Sequence, residues 1–298
     1  DVYKRQILAP FDKYYNGVAD FKIQLLPSAG DSDPNVVTRA KSGNLDYGYT
    51  KMVADVQALE GTPGITVTPI DVRYTRLFYL NKFDKKDGSP APLADVRVRQ
   101  ALRYAIDMET ICETLFQGSA VPANALAPDA NLKGGDLNDY NYNPEKAKEL
   151  LAEANWDPNT VIKAVYYYTD QATVDLMTAV QAYLADVGIK MEFELVEGDL
   201  ATILWTAPAD QTNGPRAVDW DICYAANAAL SLHEYYDRYR TGSPTNSHTP
   251  ENAELNRLID ATNASADVNA QNEAFKELIK YENCLLYTSP SPRDPKTS

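Results

Sequence analysis

The sequence predicts an α/β fold, with mostly parallel sheets flanked by helices, organised as two units in one chain. Strand candidates alternate with helix candidates twice, once over residues 21–81 and again over 161–225. Connections within each series are short, and right-handed crossovers then make the sheets largely parallel. A charged, proline-bearing stretch, residues 82–92, lies between the two series.

In the first series FKIQLL (21–26) reads as a short strand. Asp33-Pro34 opens a helix, with proline at its first position, that runs to Lys41 and ends at Ser42-Gly43-Asn44. LDYGY (45–49) reads as a strand, 52–59 as a helix, ITVTPI (65–70) as a third strand and RLFYLN (76–81) as a fourth. A helix over 92–107, PLADVRVRQALRYAID, comes next. Its Val98, Ala101, Leu102, Ala105 and Ile106 fall on one apolar stripe. Asp95 is its N-cap. Arg97 and Arg99 then sit in the first turn, where the helix dipole disfavours positive charge, so they need carboxylate partners or a structural role. Asp107 caps a following helix whose Ile111, Cys112, Leu115 and Phe116 face inward and which Gly118 stops.

Residues 121–142 are irregular chain, rich in Pro, Gly, Asn and Asp. Asn143-Pro144-Glu145 starts a helix with Ala147, Leu150, Leu151 and Ala154 as its apolar stripe. The second series opens with VIKAVYYY (161–168), a strand. A helix over 171–187 carries Leu176, Val180, Leu184 and Val187 on one side and ends at Gly188. IKMEFEL (189–195) alternates apolar with polar, a strand with one wet face. A short helix, 199–206, leads through a loop to WDICYA (220–225), and helices over 232–239, 251–263 and 268–281 close the chain.

The two ends read as something else. DVYKRQ (1–6) is encoded by GAT GTG TAT AAG AGA CAG, and the reverse complement of that string, read one base in, encodes CLLYTS (284–289). The string resembles the end of a transposase-based sequencing library, and PSPRD fits the adapter beyond it. Residues 1–6 and 284–298 are therefore expected to be adapter-like scars, with both natural termini beyond this sequence. Residues 7–283 are enough for one large or two ordinary domains.

The chain carries 28 Lys and Arg against 42 Asp and Glu, a net charge of −14. Setting aside the ends removes four cations (Lys4, Arg5, Arg293, Lys296) and two acids (Asp1, Asp294), which takes the balance to −16. Such acidity argues against nucleic acid or anionic membrane as a partner. No window is apolar enough for a membrane span. Cys112 and Cys223 lie in apolar patterns and read as buried free thiols. His233, read as a surface helix residue, and His248 are the only histidines. No HxxH, HExxH or CxxC occurs, so no metal site and no cofactor are expected.

Four stretches carry a family resemblance. PLADVRVRQALRYAID resembles the signature of the family 5 extracellular solute-binding proteins of peptide-type ABC transporters, written roughly P-[LF]-x-D-x-[RK]-V-R-Q-A-[LI]-x-Y-A-[IV]-D. KSGNLD (41–46), LFYLN (77–81) and NPEKAKELLAEA (143–154) resemble further segments of that family, in its order. The resemblance implies an incomplete bilobal, type II periplasmic-binding-protein-like fold that closes on a peptide or other small solute and delivers it to an ABC permease. Residues 7–80 would belong to the first lobe and 81–283 to the second, with the hinge near Asn81. Asp95, Arg97, Arg99, Gln100 and Asp107 would be structural residues of the signature. The protein would be an extracytoplasmic monomer, periplasmic or held on the cell surface as a lipoprotein. One departure matters. Oligopeptide-binding members hold the peptide amino terminus with an Asp in the loop after the WDI-type strand, and here no acid precedes Glu234. Two scattered histidines likewise do not make the family's nickel site.

In open α/β sheets ligands gather beyond the carboxyl ends of parallel strands. Those ends offer Tyr49 and Thr50, Tyr168 and Thr169, and Tyr224 with Asn227. Trp205, followed by a polar loop, joins them. A tyrosine ring gives an apolar face and one hydrogen-bonding tip, suited to a peptide or sugar. Two other functions compete. A solute-sensing domain of a regulator would use the same fold. A glycosidase would need two paired carboxylates, and Glu192 and Glu194 on the wet strand face read as solvated. No catalytic motif is present, so an enzyme is not expected.

Overall fold

The computed structural model describes residues 6–26, 35–50, 52–68, 74–117, 119–127, 130–229, 231–285 and 288–293. The chain divides into two compact units, Asp1–Ile70 and Asp71–Ser298.

The first unit departs from expectation. β1 (Gln6–Leu8) and β2 (Ile23–Leu25) pair antiparallel, Ile7 opposite Gln24. α1 (Val36–Lys41) and α2 (Val53–Leu59) follow. Residues 45–49 and the described part of the expected third strand, 65–68, are not strands. Alternating apolar residues become a strand only where a neighbour completes the ladder, and Asp46 and Gly48 are poor strand residues. The expected helix start at Asp33-Pro34 lies outside the described residues. Ile7, Phe11, Phe21, Ile23 and Leu25 remain exposed.

The second unit is built on a five-stranded sheet, in the order β5-β4-β6-β3-β7. Its strands are β3 (Tyr74–Leu80), β4 (Val161–Tyr166), β5 (Lys190–Leu195), β6 (Ile222–Ala228) and β7 (Thr288–Arg293). β4 runs parallel to β5 and β6, while β3 is antiparallel to β6 and β7. The α/β class holds, but the sheet is mixed. Helical crossovers between β4, β5 and β6 enforce parallel pairing. The chain between β3 and β6 is too long to dictate direction. β3 sits inside this sheet and belongs with the second compact unit. β7 lies within the stretch read as adapter-derived. Ladder bonds are backbone bonds, so an edge accepts extended chain with little regard to sequence, and prolines at an edge strand cost little.

Short-range caps set the helix starts. Asp95 accepts from Arg97 N at α3 (Val96–Ala105), and Asp107 from Thr110 N at α4 (Met108–Thr114). Asn143 caps α5 (Pro144–Glu153), Asp170 caps α6 (Gln171–Asp186) and Asp199 caps α7 (Leu200–Trp205). Ser231 and Glu234 form a capping box on α8 (Leu232–Tyr235). Asn252 caps α9 (Ala253–Ala261), and α10 (Val268–Leu285) follows. Gly188, at φ +88°, lets Ile189 N reach Leu184 O and closes α6. The expected stop at Gly118 lies outside the described residues.

The sheet separates two cores. On one face Phe78, Leu80, Ile162, Tyr166, Tyr168 and Tyr224 pack with α3, α5 and α6. On the other, Leu77, Tyr79, Val165, Cys223 and Trp220 pack with α8, α9 and α10. Cys112 and Cys223 are buried and unpaired.

Candidate functional site

The register brings the carboxyl ends of β4 and β6 and the start of β3 to one edge of the sheet. Tyr166 pairs with Tyr224, Arg76 with Ala226 and Thr75 with Asn227. Beyond β4, the Tyr167 hydroxyl donates to the Tyr168 hydroxyl at 3.0 Å. The Tyr168 ring meets Tyr224 edge-on, centroids 5.8 Å apart, and Tyr224 leans on Phe78 at 5.1 Å. The Arg76 guanidinium lies 4.6 Å from the Tyr168 ring centroid, a cation–π contact. This edge therefore carries two half-buried polar tips, the Arg76 guanidinium and the Tyr167 hydroxyl, backed by the buried rings of Tyr168 and Tyr224.

The seven expected ligand residues are not one cluster. Tyr49 and Thr50 lie in the first unit. Tyr49 is exposed, whereas the Thr50 hydroxyl donates to Asp55 at 2.7 Å and accepts from Met52 N, a local bond set at the start of α2. Tyr168 and Tyr224 share the α3–α6 face of the sheet and meet directly. Thr169 is exposed beside them. Asn227 lies on the opposite face, buried, its amide donating to Tyr235 O at 2.8 Å, so it ties β6 to α8. Trp205 is also on that opposite face. Alternation along a strand explains the split: consecutive residues point to opposite sides, so strand-end residues close in sequence need not converge.

Asn81, expected near the hinge, follows directly on β3. It lies at the far end of β3 from the division at Ile70. It is fully buried, donating to Trp220 O and accepting from Phe83 N. It fixes the exit of β3. Asp95 and Asp107 are caps, as described above. Arg97 pairs with Asp95 and donates to Glu153 O, Gln100 donates to Cys284 O, and Arg99 is buried among carbonyls. His233, on α8, is half-buried, with Nδ1 3.2 Å from Ile259 O. Among the described residues no three His, Cys, Asp or Glu side chains gather in a way that could hold a metal.

Sequence reasoning passed over Arg76, Arg238 and His248. Arg76 had a signal, a charge inside an otherwise buried strand. His248 had none, because Asn246, Ser247, His248 and Thr249 read as a polar surface turn yet are all fully buried. Asn246 satisfies that turn from within, donating to Thr249 O and accepting from Thr249 N. The His248 ring is enclosed by Tyr79, Trp205, Trp220 and Tyr239. Burial pushes its pKa well below 6.5, and the Lys82 and Arg238 cations push the same way. The folded protein thus holds His248 neutral, while the unfolded chain takes up a proton below about pH 6.5. Stability is present above that pH and is lost as pH falls below it, by up to about 1.4 kcal/mol per pH unit for this one group. Denaturant titrations between pH 7.5 and 5 are expected to show this slope in the parent protein and a shallower one in His248→Leu. Equal slopes would contradict the assignment.

The pattern of the bacterial extracellular solute-binding proteins, family 5 (Middle), matches residues 3–249. The chain belongs to this family. A relative within reach of this family 5 chain, heme-binding protein A of Haemophilus influenzae, is 35% identical over 130 residues, 42% of this chain and 22% of that protein. The dipeptide-binding protein of Escherichia coli is 48% identical over 64 residues, 21% of this chain and 12% of that protein. Among solved structures, the ABC transporter substrate-binding protein CtaP of Listeria monocytogenes aligns with a TM-score of 0.78 at 17% identity, covering 98% of this chain and 57% of that one. That likeness concerns the fold, which is of the type II periplasmic-binding-protein kind. The chain spans less than a quarter of the length of the two curated relatives. No helix among the described residues is long and apolar enough to cross a membrane.

Proposed function

We propose that this chain is the substrate-binding part of a peptide-type ABC import system. It captures a peptide or another small solute outside the cytoplasm and hands it to the membrane permease subunits. It works by binding and not by catalysis, as a monomer, without a cofactor and without nucleic acid. The observation that carries this reading is membership of family 5 across residues 3–249. The edge that joins Arg76, Tyr167, Tyr168 and Tyr224 supports it, because aromatic faces beside a fixed cation suit a polar, partly apolar solute such as a peptide.

A ligand that binds only the folded state stabilises it by RT ln(1 + [L]/Kd), about 2.7 kcal/mol at a hundredfold excess over Kd. For a chain of this size that is a rise in Tm of roughly 5–10 °C. A pool of di- to pentapeptides is expected to give such a shift in a thermal melt. Haem and simple sugars, run beside it, separate the solute classes. Absence of any shift with all three would sink the reading.

A further inference from the structure

We propose that the Arg238 guanidinium, stacked on Trp205, is an anion subsite that takes a carboxylate of the bound ligand. This deepens the binding-protein reading and rests on it. The Arg238 carbon lies 4.2 Å from the Trp205 ring centroid. Its Nη1 donates one long bond, 3.4 Å, to the Tyr79 hydroxyl. Both Arg238 and Trp205 are half-buried, with exposed Thr206 and Ile203 beside Trp205 on α7.

Six other arginines of this unit give the contrast, while Arg76 shares with Arg238 a guanidinium laid over an aromatic ring. Arg97, Arg216, Arg240 and Arg257 each pair with a carboxylate. Arg99 and Arg103 donate to backbone carbonyls. Among the described residues no carboxylate lies within ion-pair distance of Arg238, although the chain holds 42 acids. The phenol, thiol and imidazole nearest it carry no negative charge. Burial pushes the Tyr79 phenol up to about 12 and raises the Cys223 thiol further, and His248 is held neutral. A guanidinium has five donors in a planar fork that fits a carboxylate bidentately, and here one donor is weakly used. Stacking on Trp205 fixes the plane of that fork, and the aromatic wall lowers the local dielectric, which strengthens attraction to an incoming anion. Tyr167 links this place to the strand-end edge. It donates to Tyr168 there and packs against the apolar clusters on both faces of the sheet.

A carboxylate from the ligand and one from elsewhere in the chain share this chemistry, and the test separates them. Two pools of di- to pentapeptides are titrated against the full chain, one with free carboxyl termini and one amidated. The free-acid pool is expected to bind at least tenfold more tightly, and R238Q to bring it down to the level of the amidated pool. Equal binding of the two pools to the parent protein overturns the subsite and leaves the peptide reading standing. Parallel loss of both pools in R238Q also overturns it, since the guanidinium would then serve an acid of the chain itself. An unchanged preference in R238Q overturns it as well. Binding of neither pool overturns the subsite and the peptide as solute, and the haem and sugar melts then decide whether the binding-protein reading stands. Should R238Q not fold, R238K keeps the charge without the fork. It is expected to weaken free-acid binding several-fold, and unaltered binding counts against the subsite.

Discussion

Arg216→Met is expected to lower the unfolding free energy by about 3–5 kcal/mol, the cost of stranding one partner of a buried ion pair. Arg216 and Asp221 meet at 2.8 Å with side chains 3% and 1% exposed. Arg216 also donates to Phe83 O and Trp220 O, and Asp221 accepts from Lys163 N at 2.9 Å. The pair therefore ties the exit of β3, the start of β6 and the start of β4 together. With Arg216 gone, the Asp221 carboxylate keeps Lys163 N and a distant Lys85 ammonium, 3.8 Å away at the rim. Truncating both partners, Arg216→Met with Asp221→Leu, removes the stranded charge and is expected to recover more than half of the loss. Urea unfolding of the two variants measures this. A single variant within about 1 kcal/mol of the parent would show that the pair does not hold these strands.

Arg99→Ala is expected to cost about 2–4 kcal/mol, through buried carbonyls left without donors. Arg99 is 5% exposed. Its Nη1 donates to Leu93 O and Ala94 O, and its Nε and Nη2 to Leu285 O. One side chain thus clamps the turn before α3 to the end of α10. Arg97 stands on the solvent side, its side chain 42% exposed beside Asp95, so Arg97→Ala is expected to do much less. Thermal melts of the two variants compare them directly, and a larger drop for Arg97→Ala would refute the ranking. The unfavourable position of both arginines at a helix start has two different resolutions. Arg97 is neutralised by the cap residue Asp95, and Arg99 turns away from the dipole to bind carbonyls.

The helix starts were legible because capping is local. Asp95, Asp107, Asn143 and Asp199 each accept from a backbone N–H two or three residues on, and nothing distant is needed. The second unit's strands were legible from their apolar runs. In the first unit the same runs failed, since LDYGY has no neighbour to complete its ladder among the described residues. The candidate site was legible only in part. Tyr168 and Tyr224 meet on one face of the sheet, whereas Asn227 and Trp205 lie across it from them. Arg238 draws its interest from what surrounds it, and those neighbours come from β3, α7 and the turn at 246–249.

The sequence by itself determined the family, the α/β class and the capped helices, each of which rests on residues near one another in the chain. The tertiary structure alone decided the direction of β3, the placement of Asn81 at the buried end of that strand and the neutral burial of His248. It also decided which strand-end side chains share a face. Strand direction, burial and facing depend on contacts between residues far apart in the chain, and no local pattern encodes them.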